Sequence, residues 1–145
     1  MSHANVELAR RVLDAFNRTL SDDADEDFFA MLSDDVEWIP ITALLDGTTH
    51  HGREAVREWV HDLKRDWETY VLTWDDIRAV DDSRVLAFGS WHARGRRSGI
   101  ELDFQQATWL VRFRNGALAG VQTFTDRDEA LAAAGSGPVS FPDQA

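Results

Sequence analysis

"NGALAGVQTFTDRDEALAAAG", residues 115–135, opens as a hairpin turn and finishes as a capped helix, with a short strand between them. Asn115-Gly116 is the strongest hairpin signal in the chain, because both residues tolerate positive φ in a type I′ turn. Residues 117–125 form the strand. Asp126 and Glu129 have the spacing of a capping box, with Asp in place of Ser or Thr at the cap. A helix is therefore predicted from Arg127 to Ala134, with Gly135 as its C′ residue. Asp126 is assigned to the cap rather than to chemistry, since an exposed capping carboxylate is a poor acid or base near neutrality. The stretch reads as the closing piece of a curved sheet.

Upstream of that turn, residues 100–114 read as one long strand with Ala107, Trp109, Val111 and Phe113 on one face. Gly95 to Gly99 is a turn; Arg94, Arg96 and Arg97, in and beside it, are expected to pair with local carboxylates. Residues 84–94 form another strand, and Asp81-Asp82-Ser83 the turn before it. Tyr70, Leu72 and Trp74 alternate with Val71 and Thr73, the period of a strand. Before Trp67 the period is helical: Val56, Trp59, Val60, Leu63 and Trp67 share one face of a helix from Arg53. Residues 41–52 read as a loop, and "VEWIP" at 36–40 as a short strand stopped by Pro40. Phe28, Phe29 and Leu32 mark a second helix. Ala9, Val12, Leu13, Phe16 and Leu20 mark the first, over residues 5–20, with Asn5 as its N-cap.

This order predicts an α+β fold: a cone-shaped barrel of a curved, mostly antiparallel sheet wrapped round three N-terminal helices, with a short C-terminal helix. One domain is expected over residues 1–135, followed by a mobile tail at 136–145.

A chain of 145 residues with 43% apolar and 28% charged residues can bury a sizeable core. Its net charge of -11 argues against nucleic acid and anionic membrane surfaces as partners. The absence of cysteine removes disulfides and thiol chemistry. The start, MSHANVELARR, is polar and then amphipathic, without a signal-peptide pattern, so a soluble cytoplasmic protein is expected. The single Lys among fifteen basic residues reads as compositional bias.

Six Trp and eight Phe stand against one Tyr. Trp38, Trp59, Trp91 and Trp109 sit on four separate elements, each with a plausible inward orientation. Such rings pack a core; on the walls of a cone they also bind a flat apolar guest, at roughly 25 cal/mol per Å² of apolar area buried. Phe16, Phe29 and Phe124 would complete the lining, and Gln105 or Gln122 would orient a carbonyl or hydroxyl. Gln106 is a third neutral polar group on these strands, with the sheet's outer face as the alternative for all three. His50 and His51 precede the third helix, where an imidazole at the cavity mouth could carry a proton near pH 7. They do not by themselves make a metal site, and no metal or organic cofactor is expected. His61 is expected in solvent, His3 in a frayed terminus, and Trp91 rather than His92 facing inward.

The stretches "VELARRVLDAFNR", "MLSDDVEWIP", "HHGREAVREWV", "RFRNGALAG" and "TFTDRDEALAAAG" resemble the nuclear transport factor 2-like superfamily, and within it the SnoaL-like group. The resemblance spans Val6 to Gly135 in the family's order. It implies the conical fold, a homodimer through the outer face of the sheet, and activities that include polyketide cyclase, isomerase, dehydratase and epoxide hydrolase. The ketosteroid isomerases require a Tyr on the first helix, an acid after the first strand and an acid on a later strand. The matching positions here are about Val12, Ile39 or Pro40, and Thr108 or Leu110, so those groups are missing. The acid that SnoaL-type cyclases carry on the last strand falls at about Thr123. Three readings follow: a protein that binds a small, mostly apolar molecule and, if it is an enzyme, does cofactor-independent isomerase, cyclase or hydrolase chemistry; a non-catalytic binding or dimerisation module; or a packed structural domain with no cavity.

Overall fold

Helical spacing of apolar residues in α1 (Ser2–Asp22) puts Ala9, Val12, Leu13 and Phe16 on one buried face. The computed structural model describes residues 2–22, 25–40 and 47–135, so the tail 136–145 and the loop residues 41–46 lie outside the described residues. Within these bounds the chain continues through α2 (Asp25–Ala30), β1 (Leu32–Ile39), β2 (His50–His51), α3 (Arg53–Asp66), β3 (Trp67–Ala79), β4 (Arg84–Gly95), β5 (Glu101–Phe104), β6 (Thr108–Arg114), β7 (Ala117–Phe124) and α4 (Arg127–Gly135).

The strands form one sheet in the order β2-β1-β7-β6-β4-β3, with β5 also paired to β4. Among the described residues only β1 and β7 run parallel, and the other pairs are antiparallel. β2 and β3 are its two ends, so the sheet curves without closing. Its concave face carries Val36, Trp38, Val85, Trp109, Val111 and Val121 against α1 and α3 in one core. A smaller core on the opposite face joins Leu86, Phe88 and Leu110 to Ala130 and Ala134 of α4.

Several boundaries differ from the sequence reading. Trp67, read on the face of the third helix, opens β3 instead. Asn5 lies inside α1, and its Nδ2 donates to the Asp82 carbonyl at 2.6 Å instead of capping the helix. β1 begins at Leu32, with a register shift before Glu37. His50 and His51 are a strand, because they pair with Trp38 and Glu37 of β1. The long strand over 100–114 is two strands, broken by a turn at Gln105 and Gln106, with β5 and β6 taking successive segments of β4. Leu102 and Phe104 are one residue out of phase with Ala107, Trp109, Val111 and Phe113, and the break falls at that slip, on Gln105 and Gln106.

β3 has a free edge, and α1 covers part of it. The Leu72 N–H and C=O face away from β4 and bond instead to the Asn17 side chain, with N–H to Oδ1 at 3.3 Å and Nδ2 to the carbonyl at 2.8 Å. The amide stands in for a neighbouring strand. Arg96 ends α3: its guanidinium donates to the carbonyls of Lys64, Arg65 and Trp67 at 3.2, 3.3 and 3.2 Å. A cation at the negative end of the helix satisfies carbonyls that lack intrahelical partners, so Arg96 serves the backbone and not a carboxylate. Arg94 does lie beside a carboxylate, 3.8 Å from Glu68.

Candidate functional site

Phe16 projects from α1 into the centre of the cone. Its ring stacks on Trp38 at 5.3 Å and on Trp59 at 5.8 Å, and meets Trp109 edge-on at 5.5 Å. Trp38 touches Trp59 and Trp109 at 5.4 and 5.2 Å. Trp91 sits further along the wall, 5.3 Å from both Tyr70 and Phe104. These offset and edge-to-face arrangements are the favoured ones for aromatic pairs. They leave a void of about 10 Å³ bordered by Trp38, Trp59, Tyr70, Trp91, Trp109 and Thr123. That is room for about one water molecule.

Two polar atoms at this void have no hydrogen-bond partner: Trp91 Nε1 and Thr123 Oγ1, both buried. The Trp91 N–H points toward the Tyr70 hydroxyl but falls short of hydrogen-bond geometry. Burial pushes the Tyr70 hydroxyl well above the ordinary phenol range, and the Trp91 N–H opposes this more weakly. Tyr70 is therefore a neutral phenol at any physiological pH, able to exchange hydrogen bonds but not to act as a base.

The remaining sequence-predicted residues divide by the phase of their strands. Trp38 and His50 are cross-strand partners, so His50 lies on the cone side, and its ring stacks on Trp59 at 5.2 Å. Glu37 and His51 are the other pair, on the opposite face. There His51 Nε2 lies 3.4 Å from a carboxylate oxygen of Glu37, which is only 2% exposed. Gln122 pairs with Leu110 and Ile39 on that outer face, and its buried Oε1 has no hydrogen bond. Thr123 is the inward residue of β7, so Phe124 turns outward and packs against the α4 core instead of lining the cone. Gln105 sits exposed in the β5–β6 turn and donates to Asp103 Oδ1 at 2.9 Å, away from the cone. Phe29 is buried beside Phe28 beneath the Arg57 guanidinium, 4.3 Å from its ring centre, and does not reach the void. Trp91 faces in and His92 out, with His92 3.8 Å from Glu101. His61 is exposed, and the side chain of His3 lies outside the described residues. Among the described residues no group of three or more His, Asp or Glu could hold a metal ion.

Sequence reasoning missed Tyr70 and Glu37. Tyr70 is the single Tyr of the chain, at an inward phase of an alternating strand. Glu37 is an acid between Val36 and Trp38 on a strand flanked on both sides, which is the signal for a buried carboxylate. Thr123, weighed only as a missing acid, is the β7 side chain at the void.

Residues 9–121 match the family described as the SnoaL-like domain, and the chain belongs to that family. Several solved structures share the fold. An NTF2-like protein of unknown function from Burkholderia pseudomallei is 20% identical with a TM-score of 0.68, over 92% of this chain and 98% of that one. A candidate polyketide cyclase from Xanthomonas campestris pv. campestris is 18% identical with a TM-score of 0.65, over 90% and 98%. A candidate isomerase from Rhodopseudomonas palustris is 16% identical with a TM-score of 0.66, over 86% and 96%. At these identities the likeness is one of fold. No curated protein matches the chain. Among the described residues no helix is long and apolar enough to cross a membrane.

Proposed function

We propose that this chain binds a small, mostly apolar molecule within the aromatic cone, and that the guest presents one hydrogen-bond acceptor to Trp91 Nε1 and Thr123 Oγ1. The observation that supports this is that Trp91 and Thr123, each with a buried side-chain polar atom that lacks a hydrogen bond, line one void. Each such atom costs roughly 1–3 kcal/mol when left unsatisfied, so native proteins fill such places with water or ligand. A water satisfies them in the closed cone; a guest displaces it by moving the rings apart. Proton transfer, if the protein is an isomerase, cyclase or hydrolase without cofactor, falls to His50, the imidazole on the cone side of the sheet. His51 faces the other way. A cytoplasmic homodimer joined through the part of the outer face that α4 leaves open belongs to the same reading.

The size of the void favours a second reading. Rings already in contact around about 10 Å³ also describe a packed core, and the chain is then a non-catalytic module. Thermal melts against compact ketones, phenols and aromatic alcohols separate the two. Under the binding reading one class raises the melting temperature by mass action. Thr123→Val, nearly isosteric, then weakens that response while leaving the free protein as stable or more stable. If no compound shifts the melting temperature, the packed-core reading stands and the binding reading falls.

A further inference from the structure

Beside the cone lies a cleft of about 310 Å³, where the C-terminal ends of α1 and α3 meet the start of β3. Its size is that of a small-molecule site. Leu20, Leu63 and Trp67 supply its apolar surface. Its charged residues are Lys64, Glu68 and Arg96, of both signs; Arg96 bonds the carbonyls that end α3 and Glu68 lies beside Arg94. The cleft therefore offers a greasy wall with no concentrated charge of either sign, which suits a neutral guest.

Tyr70 borders both this cleft and the void of the cone. Its ring lies 6.0 Å from Trp67 on the cleft side and 5.3 Å from Trp91 on the cone side. The backbone beside it is held, because Asn17 bonds to both backbone groups of Leu72. A ring on a fixed backbone moves by side-chain rotation alone, on a far shorter timescale than a strand opens. Among the described residues, Tyr70 is the one lining residue that the cleft and the void share.

We propose that the cleft is the vestibule of the cone and that Tyr70 is its gate, admitting a neutral, compact, mostly planar molecule that carries one acceptor oxygen. This rests on the ligand-binding reading above. The guest settles first against Trp67 and the Tyr70 ring, then passes inward to Trp91 and Thr123.

The test is stopped-flow fluorescence with a neutral naphthalene ketone dye, 6-propionyl-2-(dimethylamino)naphthalene, as the probe. Tyr70→Ala should raise its association rate about tenfold, as removal of a gating element does. Tyr70→Phe, which keeps the ring, should associate at the wild-type rate. Leu20→Trp, which fills the vestibule, should slow association in the wild-type background and cancel the gain in Tyr70→Ala. A Leu20→Trp variant that binds at the wild-type rate overturns the gate even if Tyr70→Ala does not fold, and leaves the ligand-binding reading intact. A dye that binds neither the wild type nor Tyr70→Ala, while both are folded by circular dichroism, overturns the binding reading itself and the gate with it.

Discussion

Asp81 organises the turn between β3 and β4 with both of its oxygens. Oδ1 accepts the N–H groups of Ser83 and Arg84 at 3.0 and 2.9 Å, and Oδ2 accepts Arg84 Nε at 2.7 Å. The Arg84 hydrogen bond holds the Asp81 carboxyl below its ordinary value. A lowered folded-state pKa contributes stability that is present above the unfolded value and is lost as pH falls through the folded one. Asp81→Asn should therefore cost about 1 kcal/mol at neutral pH, a figure reduced for solvent screening of a half-exposed carboxylate. Urea melts should show the gap to wild type closing as pH falls through the lowered folded-state pKa, to a pH where the wild-type carboxyl is protonated. A gap that persists unchanged at that pH would place the effect in turn geometry rather than charge. At this scale the sequence is legible where a residue acts on its own neighbours. Asp126 caps α4 as its spacing indicates, accepting the Asp128 N–H at 2.8 Å. The directions of Gln105, Gln122 and Phe124 depend on strand phase: Gln122 takes the outer face that stood as its alternative, Gln105 lies in the β5–β6 turn, and Phe124 packs on the α4 side rather than lining the cone.

The sheet owes its bend to one close approach between β3 and β4. A Cβ at Gly89 would lie 1.8 Å from the Thr73 carbonyl oxygen, and the register of β3 shifts next to it, between Trp74 and Asp76. Gly89 also donates its N–H to the Ala107 carbonyl at 2.9 Å, at the point where β4 exchanges β5 for β6. The bulge and the strand break thus coincide, as expected where a sheet is forced to curve. Gly89→Ala should destabilise by about 3 kcal/mol or more, because backbone must move to admit the methyl group. Chemical denaturation measures it, and a cost under about 1 kcal/mol would mean that the bend does not depend on this contact. The helices were legible as elements because their 3.6-residue stripes are continuous. The break in the 100–114 strand is marked only by a one-residue slip of phase between Phe104 and Ala107, which a reading as one strand passes over.

At the scale of the whole molecule, α1 to α3 fill the concave face of the sheet while α4 covers part of the convex one. The element order and the resemblance of five stretches anticipate the curved sheet round three N-terminal helices, and the family match over residues 9–121 agrees; the face that α4 covers is not legible in them. The convergence of Trp38, Trp59, Trp91 and Trp109 was also legible, through inward phase on each element. How closely their rings meet was not. Ring-to-ring distance is set by the curvature of the sheet and the depth of α1, which no single segment encodes. That distance decides whether the cone is a site or a core, and the Trp91 indole N–H, at the wall of the void, reports on it directly. The decisive measurement is a proton–nitrogen correlation spectrum of the indole region, with the Trp91 signal assigned by its loss in Trp91→Phe, during titration with a compact apolar ketone. The account predicts a saturable downfield shift of that resonance as a carbonyl accepts its proton. Indole signals that stay in place across the ketones, phenols and aromatic alcohols would contradict it.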